Sequence, residues 1–418
     1  MSAADFTTGS TAGFTTAWTA APQAPSEGFT PNWSREGFWR QSVRQVVRVT
    51  AGGGRVRIRL SNAYGTSPLH LAGASVARTA SGAGVEPGSV RRLTFQGAHE
   101  VAIPARGQIV SDPAELVVAA GEPVTVTLYF EAATGPATFH AQAFTRSHRG
   151  PGDLLADVTG AGFDAVTESW YVLSAVETDA GRADGVALFG DSLTDGFGST
   201  PGADRRWSDA LARRTGRPVL NAGIGGNLLL NDSAWYGEKG VRRLARDVLD
   251  HSGVDTLVVL IGLNDIGFSE TDEQPTYHPA PVVEAGELIA GHRELIRQAR
   301  GRGLRVIGAT LVPFGGSDHW GEHAAKVNRE LNEWIRGAGE YDAVLDFQRL
   351  LADPSDPDRL HPSYDFGDHL HPNDAGYEVM AEAVAHVLDQ GQDQEQDPNP
   401  ACDRGPARAL APRPAVTA

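Results

Sequence analysis

The stretch Val186-Ala187-Leu188-Phe189-Gly190-Asp191-Ser192-Leu193-Thr194-Asp195-Gly196 decides the fold of the second half of the chain. Its apolar start is too short for a helix and is typical of a buried parallel strand that ends at a glycine. Such a strand delivers Asp191 and Ser192 to its carboxyl end, where ligands bind in open α/β sheets. A serine there can expose its hydroxyl while its backbone N–H holds a developing oxyanion. Taken alone, however, Gly-Asp-Ser-Leu is equally typical of a turn without chemistry.

Three later stretches place further polar residues beside short strands or helices. They are Asn221-Ala222-Gly223-Ile224-Gly225-Gly226-Asn227, Gly262-Leu263-Asn264-Asp265 and Asp368-His369-Leu370-His371-Pro372. The first two follow apolar strands predicted at residues 217–220 and 256–261. The third precedes a helix predicted to begin near Asp374.

Together with Ser192, these blocks in this order resemble those of the SGNH hydrolases, also called the GDSL esterase and lipase family. The resemblance runs from residue 185 to residue 388. It implies a flavodoxin-like, three-layer α/β/α domain and a serine esterase that needs no cofactor and no metal. It also implies a catalytic triad of Ser192, Asp368 and His371, and an oxyanion hole of Ser192, Gly226 and Asn264. Two adjacent glycines, Gly225 and Gly226, leave open which of them provides the backbone donor.

The chemistry of these residue types agrees with those roles. A serine hydroxyl needs a base within hydrogen-bond reach, and the base needs an acceptor that orients it. A turn at residues 368–371 can place Asp368 and His371 on one side, and an uncharged amide at Asn264 can donate to an oxyanion. We expect His369 to be structural. We also expect Asp191 and Asp265 to bond to loop backbone rather than transfer protons.

Two other kinds of hydrolase are less consistent with the sequence. The residues His361, Asp368, His369 and His371 could suggest a metal site, but the block around Ser192 contains no histidine to complete one. The Gly-x-Ser-x-Gly motif of α/β-hydrolases is also missing, because Thr194 stands where its second glycine would be.

The first 178 residues show period-two alternation instead of helical periodicity. In the segment 55–60 apolar residues alternate with arginines, and the segment 124–128 repeats the pattern, which predicts antiparallel sheet with one solvated face. Frequent turn signals between short strands predict an all-β sandwich, jelly-roll-like, over residues 1–178. We expect its aromatic residues to be buried in the core or in a contact between the domains rather than to form a sugar-binding platform; they are Trp18, Trp33, Phe38 and Trp39.

After residue 184 the pattern changes to strands that alternate with helices, which predicts a parallel sheet covered on both faces. The predicted hydrolase domain spans residues 185–389. Its helices are predicted at residues 205–215, 238–249, 281–300, 322–336 and 374–388, and its last two strands at 304–311 and 343–347. The polar tail, residues 390–418, is predicted to be disordered.

Composition limits the partners and the compartment. The 418 residues carry a net charge of −16, so we expect neither nucleic acid nor a membrane surface as a partner. The single cysteine, Cys402, cannot form an internal disulfide. The start of the chain lacks the features of a signal peptide, which predicts a cytoplasmic protein unless a leader has been removed or the start is misplaced. The sequence does not indicate an oligomeric state.

The sequence therefore predicts a serine esterase that acts through an acyl-enzyme on Ser192. Three leucines at residues 228–230 are expected to line a short acyl pocket, and an acidic loop at residues 269–274 is expected to disfavour long chains. The substrate is then a short-chain or acetyl ester of a carbohydrate or small molecule. Two alternatives remain open: a lipase for longer chains, and a carbohydrate-binding or scaffolding protein with a vestigial hydrolase domain.

Overall fold

The computed structural model of the chain describes residues 13–271 and 274–396, with backbone only from residue 391. The predictions about Cys402, about residues 397–418 and about most of the first sixteen residues concern positions outside the described residues. Within the described part, no helix is both long and apolar enough to cross a membrane.

The first half of the chain is all-β, as predicted. Its strands are β1 (Thr15–Thr19), β2 (Gln41–Arg48), β3 (Gly53–Ser61), β4 (Leu69–Leu71), β5 (Gly73–Arg78), β6 (Arg91–Arg92), β7 (Val101–Ile103), β8 (Gln108–Val110), β9 (Ala114–Val118), β10 (Pro123–Phe130), β11 (Phe139–His140), β12 (Ser147–Pro151), β13 (Ala165–Thr167), β14 (Trp170–Tyr171) and β15 (Leu173–Thr178).

Two antiparallel sheets enclose the core of this β region. One has the order β1-β15-β3-β8, with β9 also paired to β3, and the other has the order β13-β12-β2-β10-β5-β6. Alternate residues of β3 and β10, such as Ile58 and Val126, are fully buried in one shared apolar cluster. Trp18, Trp33 and Phe38 are buried in the same cluster as expected, whereas Trp39 is 62% exposed and the core prediction was wrong for it.

Most of the arginine face of β3 is buried, contrary to the prediction of a solvated face, and only Arg55 at its start is exposed. Arg57 and Arg59 are both buried and pair with the fully buried carboxylate of Glu177 on β15, at 2.5 and 2.8 Å. The reason is that the second half of the chain packs on this sheet. Thr16 of β1 donates its N–H to the carbonyl of Ser252 at 3.1 Å, and Thr50 is bonded to Val219.

The second half of the chain is built on a parallel sheet. Its strands are β16 (Gly185–Gly190), β17 (Val219–Gly223), β18 (Val254–Leu260), β19 (Arg305–Ala309) and β20 (Ala343–Leu345), in the order β17-β16-β18-β19-β20. In chain order this is 2-1-3-4-5, the flavodoxin-like arrangement that the sequence predicted. A small antiparallel pair, β21 (Ala352–Asp353) and β22 (Asp356–Leu360), follows.

Helices alternate with the parallel strands. They are α1 (Ser192–Asp195), α2 (Trp207–Thr215), α3 (Gly240–Leu244, continued by a π-helical turn at Ala245–Leu249), α4 (Leu263–Gly267), α5 (Ala285–Arg300), α6 (Glu322–Gly337), α7 (Phe347–Leu351) and α8 (Asp374–Gln396), with 3₁₀ turns at Phe268–Glu270 and Pro275–Tyr277. Helix α2 packs against α8, while α5 packs against α3 and α6. These two groups are the outer layers of the three-layer domain.

Two helix ends differ from the prediction by more than two residues. Helix α5 begins at Ala285 rather than near Pro281, because Glu284 and Glu287 form a reciprocal capping box at its start. Helix α8 continues to Gln396, so residues 390–396 of the predicted disordered tail are helical. Glutamine and glutamate, which are good helix formers, are frequent there. The proposed boundary between the two domains, residues 178–185, lies between the end of β15 and the start of β16.

Candidate active site

Ser192 lies at the tight turn between β16 and α1. A Cβ at Gly190 would be 2.2 Å from Thr194 Oγ1 and 2.3 Å from the carbonyl oxygen of Leu260, so only glycine can end the strand here. The Asp191 side chain caps α1 by accepting the N–H of Leu193 at 3.0 Å. Ser192 is the first residue of that helix, where a backbone N–H has no acceptor within the helix. The strand and cap therefore present both the hydroxyl and a free N–H at one point.

Ser192, His371 and Asp368 form a continuous hydrogen-bonded chain. Ser192 Oγ is 2.8 Å from His371 Nε2, and His371 Nδ1 is 2.7 Å from Asp368 Oδ2. The other carboxylate oxygen of Asp368 accepts the N–H groups of Leu370 and His371 at 3.0 and 2.9 Å. Partial burial alone would raise the pKa of Asp368, but the hydrogen bonds and the charge of the His371 ring lower it to about 2. The structure thus brings together residues from opposite ends of the domain.

The neighbouring histidine is held away from the serine. His369 adopts a left-handed backbone with φ of 62°, and its Nδ1 lies 2.6 Å from a carboxylate oxygen of Asp365. Asn373 Nδ2 donates to the carbonyl oxygens of Ser363 and Asp365, which ties this loop to the start of α8. The expectation that His369 is structural agrees with these contacts.

The two adjacent glycines differ in what their N–H groups do. Gly225 donates its N–H to Asp195 Oδ2 at 2.9 Å, whereas within the described residues the N–H of Gly226 has no acceptor. Gly226 has φ of 72°, and a Cβ there would be 2.4 Å from the ring of Tyr236. Gly226 also lines the same cleft as Ser192. Of the two glycine N–H groups, that of Gly226 is therefore the one free to bind a ligand.

Asn264 is buried in α4 and is fixed through both ends of its amide. Its Nδ2 donates to the carbonyl oxygen of Asn227 at 3.0 Å, so its Oδ1 must face His319 Nε2, which is 3.2 Å away. The other ring nitrogen of His319 is 2.6 Å from the carboxylate of Asp318. His319 therefore lies between the amide oxygen of Asn264 and the carboxylate of Asp318. The hydrogen bond from His319 in turn lowers the pKa of Asp318.

Neither His319 nor Asp318 was predicted from the sequence to lie at the site. They follow two glycines and a serine in the segment 315–319, after the carboxyl end of β19. A polar pair after a strand of the parallel sheet is the signal that could have found them.

Two other buried aspartates have the backbone-bonding role that the sequence predicted. Asp191 caps α1, and Asp265 accepts the N–H groups of Leu229 and Leu230 at 2.7 and 3.0 Å. Burial raises the pKa of each carboxyl group to about 7. Neither contacts the hydroxyl of Ser192.

The β region reaches the site through a buried ion pair. His140 of β11 places Nε2 3.1 Å from Asp195 Oδ1, and the other oxygen of Asp195 holds the N–H of Gly225. Nδ1 of His140 faces the carbonyl oxygen of Ala21 at 3.0 Å. Burial alone would lower the pKa of His140, but the charge of Asp195 and these hydrogen bonds raise it. One side chain of the β region thus braces the loop that carries Gly226.

We expect His140→Ala to destabilise the protein by about 3 kcal/mol, because it leaves the buried carboxylate of Asp195 without its partner. The raised pKa sets the direction of the pH effect. The ion pair contributes fully below the unfolded pKa of about 6.5 and is lost as the pH rises through the folded pKa. The loss in unfolding free energy, measured by urea denaturation, should therefore be larger at pH ~6 than at pH ~9. The exposed His70 is the control, and an equal loss for His70→Ala would contradict the interpretation.

A cleft of about 590 Å³ opens over Ser192 and His371. Most of its apolar lining is aromatic: Phe29, Phe197, Trp235, Tyr236, Phe268 and Tyr277. The prediction that leucines 228–230 line an acyl pocket was wrong. Leu228 and Leu229 are buried, and none of the three leucines lines the cleft. Leu229 and Leu230 pack with the core of the second half of the chain, and Asp265 holds their backbone N–H groups. Leu228 packs behind the lining residues Tyr236 and Phe268. Of the acidic loop predicted beside the cleft, Asp272 and Glu273 lie outside the described residues.

Among the described residues, no group of three or more histidine, cysteine, aspartate or glutamate side chains could hold a metal ion. The four residues considered for such a site have other contacts. His361 Nδ1 accepts the N–H of Ser363, His369 contacts Asp365, and Asp368 contacts His371.

Residues 188–379 match the sequence model of the GDSL-like Lipase/Acylhydrolase family. No curated protein matches the chain. Among solved structures, it is similar to a member of the lipolytic protein G-D-S-L family from Veillonella parvula (19% identity, 50% of this chain and 100% of that one, TM-score 0.38). It is also similar to an aryl esterase of M. smegmatis (17% identity, 50% of this chain and 99% of that one, TM-score 0.37). The similarity to a family two carbohydrate esterase from Clostridium thermocellum, solved with cellohexaose, extends over more of this chain (11% identity, 89% of this chain and 99% of that one, TM-score 0.35).

Proposed function

Residues 188–379 form a GDSL-like lipase/acylhydrolase domain, and we propose that this hydrolase cleaves short-chain carboxylic esters through an acyl-enzyme on Ser192. The observation that carries the proposal is the hydrogen-bonded chain from Ser192 Oγ through His371 to Asp368, with distances of 2.8 and 2.7 Å. It has the nucleophile, base and orienting acceptor in the order that acyl transfer requires.

In the proposed first step, Ser192 Oγ attacks the ester carbonyl carbon while His371 Nε2 takes the hydroxyl proton. The tetrahedral intermediate then collapses, the alcohol leaves with the proton from His371, and the acyl group stays on Ser192. Water then attacks the acyl-enzyme carbonyl in the same way, with His371 as base, and the carboxylic acid is released from Ser192. Asp368 stays ionised throughout, because its pKa of about 2 is far below neutrality, and it stabilises the imidazolium of His371.

Three donors are proposed to hold the oxyanion: the N–H of Ser192, the N–H of Gly226 and Nδ2 of Asn264. Gly226 is preferred over Gly225, because the N–H of Gly225 is already taken by Asp195. One N–H of the Asn264 amide bonds to Asn227, which leaves the second for the substrate. Donors held before the substrate arrives need no reorganisation during the reaction.

His319 is proposed as a positioning residue that acts through Asn264. Its contact with Asn264 Oδ1 prevents the amide from flipping and keeps the free N–H directed toward the oxyanion. We expect His319→Ala to lower kcat about tenfold with little change in KM, less than the loss expected for an oxyanion donor itself. Steady-state kinetics on p-nitrophenyl acetate measures this.

The variant His319→Gln tests the contact itself, since its side-chain amide can still donate to Asn264 Oδ1. Partial recovery of kcat supports the positioning role. His323, which bonds to the carbonyl oxygen of Val283 away from the cleft, provides the control variant His323→Ala. If His319→Ala still lowers kcat tenfold in an Asn264→Ala background, the two residues act independently and the proposal is wrong.

The proposed substrates have short acyl chains. Each methylene that enters the aromatic cleft contributes about 0.8 kcal/mol until the cleft is full. We expect kcat/KM on p-nitrophenyl esters to peak between acetate and hexanoate and to fall by laurate. Faster hydrolysis of palmitate, or activation above the critical micelle concentration, would instead favour the lipase alternative.

Labelling by a fluorophosphonate tests the proposal against a vestigial domain, because only an activated serine reacts with it. We expect stoichiometric labelling of the wild type at Ser192, located by peptide mass spectrometry. An unlabelled protein would favour the carbohydrate-binding or scaffolding alternative.

A further inference from the structure

One wall of the cleft comes from outside the hydrolase domain. Phe29, in the loop between β1 and β2, and Gln142, just after β11, line the cleft together with Ser192. Both also contact the segment that carries the proposed oxyanion donor. A Cβ at Gly225 would be 1.9 Å from Gln142 Oε1 and 3.2 Å from the ring of Phe29. The β region therefore contributes directly to the space where a substrate would bind.

Phe29 presents an open aromatic face. Its side chain is 46% exposed, and its ring centroid lies 5.4 Å from that of Tyr236 across the cleft wall. The loop that carries it is braced by Asn32, whose Nδ2 donates to the carbonyl oxygen of Glu27 at 2.6 Å and whose Oδ1 accepts the N–H of Ser34 at 2.9 Å. An exposed aromatic side chain on a braced loop is available to stack on a ligand.

Gln142 is buried, yet its side-chain amide has no hydrogen-bond partner in the described part of the chain, and its oxygen is enclosed. The backbone beside it is firmly held. Ala141 donates its N–H to Gln23 Oε1 at 2.9 Å and accepts the hydroxyl of Ser169 at 2.7 Å. Buried amides are almost always paired in folded proteins. Because Oε1 of Gln142 is enclosed, Nε2 is the atom of this amide to which a ligand in the cleft can supply the missing partner.

The charges of the cleft restrict the ligand further. Its described lining includes the carboxylates Asp318 and Asp368 but no lysine or arginine. Anionic ligands are therefore disfavoured. Aromatic faces together with an unpaired amide match an uncharged ring that has an apolar face and hydroxyl groups at its edge.

We propose that Phe29 and Gln142 form a binding subsite for the hydroxylated ring of a neutral ester, such as a monoacylated sugar. Phe29 stacks on the face of the ring, and Nε2 of Gln142 donates to the oxygen of a ring hydroxyl. This proposal rests on the ester hydrolysis proposed above and adds the chemical class of the substrate and the part of the chain that selects it.

The test compares three acetate esters: a methyl glucoside monoacetate, cyclohexyl acetate and ethyl acetate. Gln142→Met keeps the shape of the side chain but removes its hydrogen bonds. We expect it to lower kcat/KM on the glucoside ester about tenfold, mainly through KM, and to change the other two by less than about twofold. Phe29→Ala should lower kcat/KM on both ring esters and leave ethyl acetate unchanged. Trp39→Ala, which removes an exposed aromatic outside the cleft, is the control for all three.

Equal losses on all three esters would mean that Phe29 and Gln142 only support the cleft wall, and would overturn the proposal. So would unchanged kinetics, or a wild type that hydrolyses ethyl acetate but not the glucoside ester. If the wild type hydrolyses no ester and is not labelled at Ser192, the proposed function itself fails. Because Phe29 is exposed, its variant remains informative even if Gln142→Met unfolds, which thermal denaturation would reveal.

Discussion

Ser192→Ala and His371→Ala are each expected to lower kcat on p-nitrophenyl acetate by on the order of 10⁴-fold or more. The reason is the hydrogen bond between Ser192 Oγ and His371 Nε2, which makes the two side chains one proton-transfer unit in the proposed mechanism. Removing either partner removes the activated nucleophile, so the double variant should be about as slow as either single one. KM should change much less, because neither substitution removes the aromatic residues that line the cleft.

The control for this pair is His369→Ala, since His369 is two residues from His371 but contacts Asp365. We expect it to retain most of the activity. A Ser192→Ala variant that kept more than about a tenth of the wild-type kcat would rule out Ser192 as the nucleophile. Treatment with EDTA should leave the wild type active. Loss of activity that zinc restores would favour metal catalysis.

The second large effect is expected for Asn264→Ala, which should lower kcat by on the order of 10²-fold, about 3 kcal/mol of transition-state stabilisation. KM should change little, because the free N–H of the amide interacts most strongly once negative charge develops on the carbonyl oxygen. Asn264→Asp is the isosteric variant. It keeps the volume but replaces the donor with a carboxylate, so it should be at least as slow as Asn264→Ala.

Asn231, which is partly exposed and does not line the cleft, supplies the control Asn231→Ala. Thermal denaturation of each variant separates lost catalysis from lost folding, since Asn264 is buried and bonded at both ends. An unchanged kcat in folded Asn264→Ala would assign this residue a structural role only.

The sequence alone predicted the parts of this protein that depend on short-range patterns. The apolar run stops at Gly190, which predicted the end of strand β16. That end places Ser192 at the carboxyl edge of the sheet. The spacing of Asp368 and His371 predicted their contact, because three residues of one turn suffice to make it. The two-residue and 3.6-residue periodicities predicted the β region and the parallel α/β domain in the correct order.

The tertiary structure decided everything that depends on residues brought together from different elements. Gly226 rather than Gly225 has the free N–H, because Asp195, itself paired with His140 of the β region, occupies the other. Phe29 reaches the cleft from the β region and adds to the five aromatic residues that the second half of the chain supplies. Arg57 and Arg59 are buried, although their alternation predicted a solvated face, because the second domain covers that sheet. Periodicity shows that one face of an element is apolar and the other polar. What packs against each face is set by contacts between segments far apart in the sequence, and only the folded chain contains them.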